Sequence, residues 1–450
     1  MSLPDQLIQS LQKIKGFNEE AFKEVHQSGA QITSVRLNPW KSKILNSIFE
    51  NEEKIAWSSN GFYLKERPSF TLDPLFHAGA YYVQDASSMF LEEAIKQTVD
   101  VSKPLKVLDL CAAPGGKSTL IQSIISKESL LVSNEVIKTR VNILSENITK
   151  WGVANVIVTN NDPKDFQRLQ NYFDIIVVDA PCSGSGLFRK DPNAVNEWSE
   201  NNVELCAQRQ QRILADILPS LKDGGILIYS TCSYSKQEDE DVCNWLREEY
   251  SLVNIKYSIP GDWGIIESDG GYRFYPDKVK GEGFFIAAFQ KRDFTEVKSK
   301  KAKLKKNVEK LTAKEIESLK PYLDNVDDYF FIRQNDDVIA LPVQLENELP
   351  VIQSSLYIKK AGVRLGTIIR NELIPAHDLA VSTIINAAVA RLEVDTETAL
   401  QYLRKQDIKI ESEIKGWVLL VHQQLVLGWV KIMSNRINNY YPASWRILNK

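Results

Sequence analysis

A succession of apolar runs, most of them ending in a residue capable of chemistry, restricts the fold of this chain more than any other feature. KVLDL (106–110), SLLVSNE (129–135), NVIVTN (155–160), FDIIVVDA (173–180) and GGILIYSTC (224–232) alternate with polar stretches patterned for helices. Such alternation builds a mostly parallel sheet with helices on both faces. Ligands of open α/β sheets bind in the crevice outside the carboxyl ends of the strands. A last apolar run, GFFIAAFQK (283–291), closes the domain.

At 450 residues the chain is long enough for about two to four domains. Residues 1–75 read as a small accessory unit, in which a helical start with Leu7, Leu11 and Ile14 on one side precedes the extended piece ITSVRLNP. The sheet domain spans 76–292, a lysine-rich linker 293–310 and a C-terminal region 311–450. In that last region VRLGTIIRNELIPAHDLAVSTI reads as a strand joined to a helix, and GWVLLVHQQLVLGWVKI as a hairpin. The amino-terminal residues lack the pattern of a signal peptide and no run of eighteen apolar residues occurs, so a cytoplasmic protein without a membrane partner is expected. Five cysteines without a CxxC pair argue against a disulfide framework and a structural zinc site, and no metal is expected. The four histidines lie far from the motif-bearing stretch, which disfavours a histidine triad. A net charge of −3 cannot hold a polyanion by its average field, so nucleic acid would need local basic patches. The lysines 298, 300, 301, 303, 305 and 306 form one such run, read first as a solvated linker.

The first strand leads into the turn Cys111, Ala112, Ala113, Pro114, Gly115, Gly116, Lys117. Paired glycines permit positive φ and close approach, and the following helix offers free N–H donors to a nucleotide-like ligand. A P-loop would need glycine where Cys111 stands, which disfavours an ATPase. Glu135 at the next strand end suits ribose hydroxyls, and Asp162 after the third suits an adenine edge. Three consecutive strand ends carrying Gly–Gly, Glu and Asp indicate an adenosine-type cofactor.

Cys182 and Cys232 each follow a strand and sit among serine and glycine. Cys206 and Cys243 fall inside helical patterns and read as small buried hydrophobes, and Cys111 reads as packing. Two thiols in one crevice suit methylation of cytosine at carbon 5: a thiolate adds to carbon 6, the ring becomes an enamine that can accept a methyl group, and a base then removes the carbon 5 proton. Asp179, three residues before Cys182, is placed to stabilise charge near ring nitrogen 3. Chemistry alone does not decide which thiol attacks.

The ordered set YVQDASSM, VLDLCAAPGGKSTL, SNEV with Arg140, NNDPKDF, VVDAPCSGSGLFRKDP, GGILIYSTCS followed by QEDEDV, and GYRFYPDKVKGEGFF resembles the Sun/Nop family of S-adenosylmethionine-dependent RNA cytosine-5 methyltransferases over about residues 30–292. The resemblance implies a Rossmann-like methyltransferase sheet with an antiparallel last strand, a small N-terminal RNA-binding segment and a C-terminal PUA-like α+β module. It implies S-adenosylmethionine held by Cys111 to Lys117, with Glu135, Arg140, Asp162 and Asp179 as further contacts. By it Cys232 is the nucleophile, Cys182 assists product release, and Arg189 and Lys190 shape the target pocket. DNA cytosine-5 methyltransferases use the cysteine of a Pro-Cys motif instead, which would select Cys182. The expected substrate is RNA, with small-subunit ribosomal RNA or the subunit itself ahead of transfer RNA; a catalytically inactive RNA-binding scaffold is the rival from another class. Arg36, Trp40 and Lys41, and later Lys431, Arg436, Tyr440, Tyr441 and Arg446, are candidate RNA contacts, and the C-terminal region is expected to add affinity without chemistry.

Overall fold

The computed structural model describes residues 3–41, 48–292 and 308–448; the lysine run at 298–306 lies outside the described residues. The five apolar runs form parallel strands β1 (Lys106–Asp109), β2 (Leu130–Asn134), β3 (Val156–Thr159), β4 (Phe173–Asp179) and β5 (Leu221–Thr231), in the spatial order β5-β4-β1-β2-β3. Strand β6 (Phe284–Gln290) joins β5 in antiparallel sense, as the fold expectation had it. Valine, leucine and isoleucine fill both faces of these strands, and two apolar cores lie above and below the sheet. That is the pattern required when helices cover both sides.

Four helices matter for the site. Helix α1 (Gly116–Ile124) begins at Gly115, whose φ of +118° only glycine tolerates readily. Helix α2 (Lys138–Trp151) follows β2. Helix α3 (Glu200–Ile217) is capped by the Ser199 side chain, and α4 (Glu240–Tyr250) follows β5.

The structure departs from the expected divisions at two places. Strand Tyr81–Val83 pairs with Thr33–Leu37 in the N-terminal antiparallel sheet, past the expected boundary at 75. Strand β7 (Ile358–Ala361), from the C-terminal region, pairs antiparallel with β3 and so extends the central sheet. Lys106 Nζ to Glu348 at 2.8 Å and Arg168 Nη1 to the Ser355 carbonyl at 3.0 Å fasten the same region to the sheet. Sequence order conceals β7 because its partner lies about two hundred residues earlier. The segment read as strand plus helix contains both, Val363–Ile369 and His377–Val381, with a further strand Glu372–Pro375 between them that forms a hairpin turned at Arg370 and Asn371, both with positive φ. Such two-residue primed turns match strand twist. The expected hairpin after Gly416 is present as Gly416–His422 with Leu425–Ile432. Among the described residues no helix is long and apolar enough to cross a membrane.

Three candidate RNA contacts turn inward. Lys41 Nζ donates to the Ala78 and Lys150 carbonyls at 2.8 and 2.6 Å. Tyr441 is buried beside Tyr402 and His377. Arg36 is buried too: it donates to Gln84 Oε1 (3.0 Å), Ser123 Oγ (3.0 Å), Thr119 Oγ1 (2.6 Å) and the Gly116 carbonyl (3.2 Å), and lies 4.6 Å from the centre of the Trp151 ring. It therefore ties the N-terminal sheet to the first turns of α1. Hydrogen bonds from charged groups contribute about 1.5–3 kcal/mol each, less than additively. Arg36→Ala is expected to lower unfolding free energy by about 3 kcal/mol in urea titration and to weaken cofactor binding.

Candidate active site

The turn from 111 to 117 sits at the carboxyl edge because β1 ends there and α1 starts there. Pro114 follows a cis peptide bond. The Ala112 N–H donates to the Asn134 carbonyl at 2.8 Å, and Arg140 Nη2 to the Ala113 carbonyl at 2.7 Å, so β2 and α2 hold the turn from outside. Glu135 is buried, accepts from the Ile137 N–H at 2.8 Å and lies 3.6 Å from Arg140. Beneath the turn Asp109 is fully buried; one oxygen accepts from Ser118 Oγ at 2.6 Å and the other has no hydrogen-bond partner. Burial pushes its carboxyl up to about 7, against the opposing pull of Ser118 and Lys117. Burial also raises the Cys111 thiol, consistent with a packing role. An open buried acceptor, a glycine turn and an acid at the next strand end together fit an adenosine-type cofactor with a charged amino acid tail. Asp162 caps the segment 163–168 through the Lys164 N–H at 3.2 Å and remains half-buried at the edge.

The thiols meet. Cys182 Sγ and Cys232 Sγ are 2.8 Å apart, although 50 residues separate them in sequence. Their shared hydrogen bond, then burial, raises the Cys182 thiol well above its ordinary range. Lys117 reaches across from α1 to Asp179 at 2.7 Å. Burial works against its ammonium, but Asp179, with Asp109 and Cys232 adding to it, raises its pKa. Asp179 also accepts from Ser230 Oγ at 2.8 Å. Cofactor turn and thiol loops thus share a single charged junction.

The acidic run after Cys232 provides a support that sequence reading missed. Glu238 is buried and accepts from the Ser183 N–H (2.8 Å), the Ser183 and Ser233 hydroxyls, and Gln210 Nε2 (3.2 Å). The residue after each thiol is therefore bonded to one carboxylate. Beside it Thr231 Oγ1 donates to Asp239 at 2.6 Å, and Arg273 pairs with Glu240 and Asp239. Gly186 closes the assembly: its N–H donates to the Cys232 carbonyl at 2.8 Å, and a Cβ there would meet the Gly283 oxygen at 2.5 Å. Arg189, expected in the target pocket, is buried and donates to the Ala30 and Gly281 carbonyls, which leaves Lys190, 3.4 Å from Asp85, on the open side. Cys206 and Cys243 are buried, as expected.

Three family profiles match the chain. They are described as 16S rRNA methyltransferase RsmB/F over residues 97–290, the N-terminal domain of 16S rRNA methyltransferase RsmF over 3–86, and the methyltransferase RsmF PUA domain over 389–447. Ribosomal RNA small subunit methyltransferase F of Vibrio parahaemolyticus is 30% identical over 471 residues, covering 98% of this chain and 97% of the relative. The protein of the same name from Shewanella piezotolerans is 29% identical, covering 91% and 90%. Among solved structures, a methyltransferase homologue from Pyrococcus horikoshii superposes with a TM-score of 0.52 at 27% identity, covering 64% of this chain and 100% of its own.

Two outcomes follow from this geometry. The folded state favours protonated Asp109, so its stabilising contribution is complete below about pH 4 and is lost as pH rises through the folded value of about 7. Unfolding free energy measured from pH 4 to 7 without cofactor should therefore fall less steeply in Asp109→Asn than in the unaltered protein. Glu238→Ala strands several buried donors and should cost about 2–4 kcal/mol and slow turnover at least tenfold. Glu238→Gln, whose amide can bond to both hydroxyls once they rotate, should recover most of both.

Proposed function

The chain belongs to the family of ribosomal RNA small subunit methyltransferases F, and on that premise we propose that it methylates carbon 5 of a cytosine in small-subunit ribosomal RNA through a bond from Cys232 to ring carbon 6. As a member it is an S-adenosylmethionine-dependent rRNA methyltransferase. The observation that carries the finer reading is the contact of two thiols beside a lysine–aspartate pair at the cofactor turn.

The residues from Cys111 to Lys117 would hold the cofactor with Glu135, Arg140 and Asp162, and Asp109 presents its open oxygen beneath the turn. S-adenosylmethionine supplies an electrophilic methyl group on a sulfonium. The target base must leave its stack to reach the thiols, which suits a loop or single strand. As the Cys232 sulfur adds to carbon 6, its proton passes by way of Asp179 to ring nitrogen 3. Asp179, fixed by Lys117 and Ser230, would face the nitrogen 3 edge of the ring and deliver that proton there, so the addition leaves no net negative charge on the ring. Carbon 5 takes the methyl group. Once the Cys232 sulfur is bonded to carbon, the hydrogen bond that held the Cys182 proton is gone; Cys182 gives that proton to water and, as thiolate, removes the carbon 5 proton, the double bond re-forms, the Cys232–carbon 6 bond breaks, and the nitrogen 3 proton returns through Asp179 to Cys232. One thiol kept protonated while the other attacks is the state that the raised pKa of Cys182 favours.

Trp40 and Tyr440 are partly exposed, and Trp417 packs 4.5 Å from Tyr440 with Lys431 5.1 Å from its ring centre, so these supply stacking and charge for the rest of the RNA.

Cys232→Ala is expected to abolish methyl incorporation from labelled cofactor and to form no denaturant-resistant complex with cytosine-bearing RNA. Cys182→Ala should form that complex and fail to release it. The opposite pattern would exchange the two roles.

A further inference from the structure

We propose that Tyr357, carried in from the C-terminal region, forms the outer wall of the adenosine end of the cofactor cleft and stacks on the purine of S-adenosylmethionine; this rests on the methyl-transfer reading above. Strand β7 starts at Ile358, which pairs with Thr159, the last residue of β3. Because β7 runs antiparallel to β3, the preceding residue falls at the carboxyl edge of the sheet, beside the segment that joins β3 to Asp162. Ligands of open α/β sheets bind at that edge.

Tyr357 is held there at three points. Its carbonyl accepts from the Asn160 N–H (3.2 Å) and from Asn161 Nδ2 (3.0 Å), and its own N–H donates to Asn161 Oδ1 (2.9 Å). The anchoring continues inward. Asn134 Nδ2 donates to the Asn161 carbonyl (3.0 Å) and to the Leu110 carbonyl (3.2 Å), and the Asn134 carbonyl accepts from the Ala112 N–H (2.8 Å). A continuous run of buried asparagines thus links the glycine-rich turn to Tyr357. On the other side, Asn160 Nδ2 donates to the Glu135 and Val136 carbonyls, which fixes the ribose-side acid to the same frame.

With its backbone so fastened, the Tyr357 side chain is nevertheless 63% exposed, and Val136 and Ile137 are 53% and 47% exposed. A lone exposed apolar side chain needs no explanation. Three at the carboxyl edge of the sheet, with the Tyr357 and Val136 backbones joined through Asn160, offer apolar surface that a flat purine would cover while its polar rim stays wet. Tyrosine loses little rotamer freedom in such a contact.

The test uses the full chain without RNA and S-adenosylhomocysteine as probe in isothermal titration calorimetry. Tyr357→Ala should bind about tenfold more weakly, within the range for removing an aromatic from a stacked base. Tyr357→Phe should bind within about twofold of the unaltered protein, and the ligand-free melting temperature of both should be unchanged. In turnover, KM for S-adenosylmethionine should rise with kcat and KM for RNA unchanged. Unaltered affinity in Tyr357→Ala overturns the proposal, as does a rise confined to KM for RNA, which would put the ring against the substrate strand. If the unaltered protein binds no S-adenosylhomocysteine, the methyl-transfer reading falls as well.

Discussion

The buried Glu238 carboxylate is the interaction on which the active site depends. Two loops that leave different strands bring their sulfurs together, 2.8 Å apart. Ser183, next to Cys182, and Ser233, next to Cys232, both bond to that carboxylate, with Gln210 completing its shell. Burying a carboxylate is costly unless its oxygens are well supplied with donors, and here burial raises the pKa of Glu238 against the pull of Ser183, Ser233 and Gln210. The thiol contact is the geometric result. Arg273, bonded to Glu240, Asp239 and the Tyr234 carbonyl, anchors the support to the β6 side of the sheet.

Lys117 plays the complementary part between the two halves of the cleft. It belongs to the first turn of the helix that the glycine turn starts, yet its ammonium rests against Asp179 and 5.4 Å from the Phe284 ring centre. The turn and the aspartate therefore cannot be displaced independently. Such prearranged charge is the usual means by which an enzyme lowers the cost of charge developing in a transition state.

The central sheet was legible because each parallel strand is an uninterrupted apolar run, and because the residues with chemical potential sit at strand ends. Periodicity alone locates Glu135, Asp179, Cys182 and Cys232 at one edge, whereas Asp109, inside the first apolar run, carries no such mark. Long-range pairing was not legible. Glu238 stood in a visibly acidic run, but its partners Ser183 and Gln210 come from other elements. Strand β7 carries no mark of its partner, and the antiparallel addition to β3 joins regions a linear reading keeps apart. Arg36 and Tyr441 have the composition of RNA contacts and serve instead as buried joints, since a guanidinium among five acceptors and a phenol among aromatics satisfy packing as readily as they would a nucleotide. In the C-terminal region the strand and the helix were legible, and the second strand between them, Glu372–Pro375, was marked only by the turn at Arg370 and Asn371.

The account stands or falls on which sulfur bonds to the base. Incubating the unaltered protein with S-adenosylmethionine and an RNA substrate carrying 5-fluorocytosine, whose fluorine cannot leave as a proton does, should trap the covalent adduct. Peptide mapping by mass spectrometry should then find the nucleotide and its added methyl group on the peptide containing Cys232, with Cys182 unmodified. A nucleotide on Cys182, or none on either thiol while methyl transfer to ordinary RNA proceeds, would contradict it.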